Sequence, residues 1–296
     1  MPVIGSAPAV VRPGAVWSAW QWTPSVVIPL VACAGWYAIG VRALWRSAGR
    51  GHGVTRLQAA CFAGGIVTLA VALLSPIDAL SETLFSVHMV QHLLLILAAA
   101  PLLALGEPLL PMIWALPQRR RLAAGRWWLA SPRVRGAAWA ALDPLGVWLS
   151  NLAVLWFWHL PAPYLAALGD ERIHALEHLS FLGTAFLFWW VVFQPLGRRR
   201  LARAGAVVYL GLTLMQSGAL GAILAFARTP WYPAHAAGAA AWHLTLLQDQ
   251  QLAGLIMSVP ASLVYIGIAL ALAARWFVFD TAPAATPLAR RRLSPG

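Results

Sequence analysis

Apolar residues fill seven stretches of this chain, roughly 25–44, 57–75, 83–105, 144–160, 172–194, 205–227 and 243–275. A helix that crosses a hydrocarbon core needs about 20 predominantly apolar residues, so the pattern predicts an all-α polytopic bundle of seven transmembrane helices. The stretch at 144–160 is short; Asp143 is placed to cap it, and Pro144 suits its first turn. The segment before it, Arg133–Leu142, is expected to lie along the membrane interface. Pro101 and Pro260 fall inside two of the spans, where each should free a carbonyl and bend its helix. The longest connection, 106–143, holds Pro108, Pro111, Pro117 and a short apolar piece. No connection is long enough for a sizeable soluble domain. The chain therefore divides into an N-terminal segment (1–24), a membrane domain (25–280) and a Pro- and Ala-rich tail (281–296) expected to be disordered.

Composition agrees. The chain of 296 residues is 60% hydrophobic and 10% charged, with a mean hydropathy of +0.71. A soluble domain with so little charge would lack a solubilising surface. Residues 1–23 lack an apolar core of the length a cleavable signal requires, so the first span is expected to direct insertion. Cys33 and Cys61 lie at different depths of the first two spans and are not expected to bridge.

The net charge of +12 would suit nucleic acid, but the basic residues form short clusters between apolar spans and no nucleic-acid-binding module accompanies them. Counted by alternate connections, 18 arginines fall on one side of the membrane and 3 on the other. Positive charge stays cytoplasmic, which puts the N-terminus outside and the C-terminus inside. Seven of the eight histidines then fall at the extracytoplasmic edge, His52 being the exception.

Ionisable groups within spans are costly and mark function. The third stretch carries His88, Met89, Val90, Gln91 and His92, and the fifth opens with His174, Ala175, Leu176, Glu177 and His178. Histidines four apart share a helix face, and both helices start at the same edge, so the two pairs can meet at similar depth. Imidazole with thioether suits copper. His88, His92, His174 and His178 are the candidate metal ligands, against the plainer reading of interhelical packing contacts. Further ligands or supporting groups are Met89, His159, Glu177, His243, Asp249, Gln250 and Met257. His159 ends the fourth stretch beside Trp156 and Trp158, where an interfacial role is as natural as ligation. Glu177 would either orient a histidine or sit at the interface near Arg172. His243, Gln250 and Met257 are spaced by seven on the last stretch, and Asp249 needs a partner. His235, in a loop, is expected to be solvated. The sequence HALEH also fits the H-x-x-E-H protease motif, which here lacks a folded catalytic domain.

These motifs resemble the CtaG family of cytochrome c oxidase assembly factors associated with caa3-type oxidases. The likeness runs from about Leu74 to Tyr265, on LSPIDALSETLFSVHMVQHLLLILAAAPLLALGEP, then WFWHLPAPYLAAL with IHALEHLSFLGTAFLFWW, then DQQLAGLIMSVPASLVY. In the last piece the family commonly has tryptophan where this chain has Ser258. The resemblance implies a multi-pass protein of the bacterial plasma membrane, not an enzyme, that helps build a haem-copper oxidase, with oxidase subunits as partners and copper as the expected cargo. Two other classes stay open on the residues alone. Paired histidines can ligate haem, and Asp249 could serve a copper or proton transporter.

Overall fold

The computed structural model describes residues 10–193, 201 and 203–280. The tail expected to be disordered, and the cluster Arg198–Arg200, lie outside the described residues. All regular structure among the described residues is helical. Six helices are long and apolar enough to cross a membrane, and a bent pair supplies a seventh span.

The first span is α1 (Pro24–Ala48). The second is α2 (Arg56–Leu74), opened by a capping box in which the Gln58 amide donates to Thr55 Oγ1 while the Gln58 side chain accepts from the Thr55 amide. The short α3 (Pro76–Thr83) joins the second and third spans and packs on both, capped by the Ser75 side chain. The third span, Phe85–Leu105, has three parts: α4 (Phe85–Leu93), a widened π segment (Leu94–Ala99) and α5 (Ala100–Leu105). The bend expected at Pro101 takes this form. Proline has no N–H to close the turn onto Leu97, and the Trp189 indole instead donates to the neighbouring carbonyl of Ile96 at 2.8 Å.

Three helices follow at the arginine-rich end: α6 (Leu109–Trp114), α7 (Gln118–Ala130) and α8 (Pro132–Ala141). The Arg121 guanidinium stacks over the Trp114 ring at 3.8 Å. The fourth span, α9 (Pro144–Trp158), is capped as expected by Asp143, which accepts from the amides of Leu145 and Gly146. It meets α8 at a bend of 54°. The remaining helices are α10 (Pro161–Gly169), α11 (Glu171–Phe193), α12 (Arg203–Ala225), α13 (Ala236–Ala241) and α14 (Leu246–Asp280). The last span therefore starts three residues later than its apolar stretch suggests.

The third span lies inside the bundle: α2, α11 and α14 all pack against it. The most extensive helix pairing is α12 with α14, and two glycines make it possible. A Cβ on Gly221 would strike the Ser258 hydroxyl, and one on Gly254 would meet the Ala225 amide. Outward faces carry exposed Ile28, Val31, Val67, Leu179, Val208 and Leu263, as surfaces meeting lipid should. Cys33 and Cys61 are both free.

Candidate metal centre

The rows of histidines on the third and fifth spans do meet. His88 and His92 are one turn apart on α4, with ring centroids 4.3 Å apart. His174 and His178 stand likewise on α11, at 4.2 Å. Across the helix–helix gap, His88 lies 5.5 Å from His174 and His92 lies 5.6 Å from His178. Glu177 is fully buried among them. Its Oε1 is 3.6 Å from His92 Nε2 and 3.8 Å from His88 Nε2. These separations are too long for hydrogen bonds. They match two donors on one ion: metal–nitrogen and metal–oxygen bonds of about 2.1 Å, opened to tetrahedral or trigonal angles, put the donor atoms about 3.4–3.6 Å apart. His88, His174 and Glu177 offer donor atoms that all lie within 4.8 Å of one another.

None of these atoms is satisfied by the protein. His88 Nε2, both nitrogens of His92, His174 Nε2, His178 Nε2 and both oxygens of Glu177 are buried without a hydrogen-bond partner. Buried polar atoms are almost always paired, because an unpaired one costs about 1–3 kcal/mol. Seven such atoms lie on five neighbouring side chains, and three of these, His88, His174 and Glu177, bring donor atoms together closely enough for one ion, with imidazole and carboxylate chemistry that fits a metal. His174 and His178 are half-buried, less covered than His88, His92 and Glu177.

The other candidates divide. Met89 is buried on α4 between His88 and His92. His159, which the sequence places at the surface, is buried. Its Nδ1 donates to the Leu155 carbonyl at 2.6 Å and its Nε2 stands 3.3 Å from Met89 Sδ. Met257 and Gln216 reach the same small cavity, beside His92 and His159. Glu177 sits at the centre of the cluster, and the interfacial alternative near Arg172 is set aside by its burial.

Three candidates have other work. Asp249 is fully buried in the first turn of α14 and accepts from the amides of Phe85 (2.8 Å) and Ser86 (3.1 Å). It caps α4 from a different helix, which supplies the partner that its depth demanded. Gln250 accepts from the Trp231 amide at 2.6 Å and donates to the Thr229 carbonyl, pinning the loop before α13. His243 does not continue the stripe toward Met257. It lies before α14, exposed, in a tight turn with φ of 58°.

An aromatic cover closes the cluster at its outer end, and sequence reasoning missed it. Tyr164 on α10 packs edge-on against His88 at 5.0 Å and hydrogen-bonds His235 Nε2 at 2.6 Å. Tyr232 donates to the His159 carbonyl at 2.6 Å. Phe85 fills the space between the two tyrosines. His235 is buried, contrary to expectation, and desolvation lowers its pKa to about 4. It is neutral at pH 7 and works as a packing and hydrogen-bonding group. Nothing in the spacing of WYPAH signals this, because the contact partner is 71 residues away.

A multi-pass helical bundle with a buried histidine–carboxylate cluster near one end is thus a membrane protein built around a polar centre. The profile of the cytochrome c oxidase caa3 assembly factor family (Caa3_CtaG) matches residues 35–278, and the chain belongs to that family. Its membership, with these spans, makes it a multi-pass bacterial membrane protein. The chain is 28% identical over 263 aligned residues to an uncharacterized protein of Mycobacterium bovis, and equally to one of Mycobacterium tuberculosis. Each alignment covers 78% of this chain and 38% of the relative, so the chain spans about two-fifths of those proteins' length. No solved structure matches. Ser258 lies on the α12–α14 seam against Gly221, and the close approach there suits a small side chain.

Proposed function

We propose that this protein assists assembly of a haem-copper oxidase by holding a copper ion on His88, His174, Glu177 and the adjoining His92 and His178, and passing it to an oxidase subunit at the extracytoplasmic face. The convergence of His88, His174 and Glu177 donor atoms, buried and without hydrogen-bond partners beside His92 and His178, carries the reading. Family membership supports the assembly role, and the distribution of arginines supports the outward-facing site.

Charge favours the cuprous ion. Uncompensated charge is expensive within a membrane. Among the donors of the cluster, Glu177 supplies the one negative charge. A monovalent ion with one carboxylate makes a neutral assembly, whereas a divalent ion leaves a net positive charge buried. The geometry also favours an ion over haem. Five of the six ring pairs among the four imidazoles have centroids 4.2–6.4 Å apart, and Glu177 stands against His88 and His92 in the space that a planar macrocycle would need.

Metal analysis of the purified protein, reconstituted with cuprous ion under reducing conditions, tests this. About one copper per chain is expected at the cluster, with the affinity reduced 100-fold or more in Glu177→Gln and His174→Ala and no Soret band. In cells, the same variants should insert normally and leave the partner oxidase short of copper. Wild-type protein that takes up no copper, or variants that support full oxidase assembly, would overturn the proposal.

A further inference from the structure

The contact between His159 and Met89 cannot be an ordinary hydrogen bond when the imidazole is neutral. His159 Nδ1 lies 2.6 Å from the Leu155 carbonyl, and a carbonyl can only accept, so the ring proton is on Nδ1. Nε2 then carries a lone pair, and it faces Met89 Sδ at 3.3 Å. A thioether sulfur also only accepts. Two acceptors are held against each other in a site where His159 and Met89 are both buried. The fold enforces the pairing: Tyr232 fixes the His159 backbone through its carbonyl, and Met89 is one position from His88 on α4.

A cation between the two atoms removes the conflict. With metal–nitrogen and metal–sulfur bonds of about 2.1 and 2.3 Å, a 3.3 Å separation corresponds to an angle of about 100° at the ion, close to tetrahedral. The cavity on the other side of the pair supplies further donors. It is lined by Met257 and by His92, whose two nitrogens are unpartnered. No carboxylate lines it, so every donor is neutral and two are thioethers. Soft neutral donors select a monovalent d10 ion over zinc or cupric ion.

We propose that Met89 Sδ, His159 Nε2 and the Met257 thioether form a second metal site for cuprous or silver ion, here called inner, beside the outer histidine–carboxylate cluster, with His92 reaching both. The proposal rests on the reading of that cluster as a metal site only for the identity of its natural cargo. It gives the chain an outer site that balances charge and an inner site that selects for softness.

X-ray absorption and metal stoichiometry of the full chain in detergent, loaded anaerobically with excess cuprous ion, test it. The wild type should bind two ions and show a metal–sulfur shell. Met89→Leu, close in volume, should bind one and lose that shell, while His174→Ala should lose the other ion and keep the shell. A wild type with nitrogen and oxygen scattering alone overturns the inner site and leaves the outer one standing. A sulfur shell in a protein that binds only one ion, unaffected by His174→Ala, overturns the outer site and supports the inner one. A sulfur shell that persists in Met89→Leu, or 15N chemical shifts that show His159 doubly protonated in metal-free and loaded protein alike, also overturns the proposal. Should Met89→Leu not fold, selenomethionine-labelled wild type answers the same question through the presence or absence of metal–selenium scattering.

Discussion

Replacing Asp249 separates scaffold from ligand. Its carboxylate accepts from two amides at the start of α4, Phe85 at 2.8 Å and Ser86 at 3.1 Å, in a fully buried position. Asp249→Ala strands both donors. An unsatisfied buried donor costs about 1–3 kcal/mol, so stranding two puts the expected destabilisation at about 2–6 kcal/mol. Asp249→Asn keeps one side-chain oxygen as acceptor and should lose about 1–2 kcal/mol. Reversible unfolding in mixed detergent micelles measures both. Copper stoichiometry should stay unchanged in the Asn variant, because Asp249 holds α4 in place and leaves the donors of His88 and His92 intact. An Ala variant within about 0.5 kcal/mol of wild type would refute the capping argument. An Asn variant that keeps its stability but loses copper would make Asp249 a ligand.

Other perturbations probe other parts of the fold. Gly254→Val forces a branched side chain against the Ala225 amide and the Gly221 carbonyl, and should destabilise by at least about 1–3 kcal/mol in the same unfolding assay. Trp189→Phe removes the donor to the Ile96 carbonyl in the π segment and should cost about 1–2 kcal/mol. Burial lifts the Asp78 carboxyl from 3.8 to about 6, opposed in part by the Gln91 amide. The folded state therefore holds this proton more tightly than the unfolded state. The associated stability is complete below pH 3.8 and is lost as pH rises through about 6. Asp78→Asn should thus gain on wild type between pH 5 and pH 8, and an equal difference at the two pH values would count against it. Finally, copper at 100 times its dissociation constant should stabilise the wild type by about 2.7 kcal/mol, and Glu177→Gln much less at the same concentration.

Most of the bundle was legible because membrane spans declare themselves by length and apolarity, and six of the seven stretches correspond to continuous helical spans. Asp143 and Pro144 announced the start of the fourth span, since capping is a local matter of side chain and nearby amide. The meeting of the two histidine pairs also followed from local facts: spacing by four, and helices entering from one edge. Residues whose partners are distant were harder. Asp249 and Gln250 read as site candidates because depth in a span says that a polar group needs a partner without saying which. Their partners are backbone amides 164 and 19 residues away. His235 read as solvated because a short loop hides the fact that the aromatic cover folds over it. Periodicity misled at His243, where spacing by seven presumes a helix that begins only at Leu246.

The polar side chains at this end of the bundle divide by what they touch, and the division explains why the cluster stays free to bind. Asp249 and Gln250 serve backbone amides, Tyr232 and Trp189 serve backbone carbonyls, and Ser180 takes the Trp158 indole while donating to the Glu177 carbonyl. Each of these bonds fixes a helix end, an irregular turn or a side chain of the wall. None consumes an imidazole nitrogen of His88, His92, His174 or His178, or a Glu177 oxygen. A bundle stabilised by packing alone would pair these groups with one another, since four imidazoles and a carboxylate have donors and acceptors enough. Here the rigid helices keep them at 3.6–3.8 Å, beyond hydrogen-bond reach and within reach of a shared ion. Preorganisation of this kind carries a standing cost in the metal-free protein, and ion binding is the event that removes it.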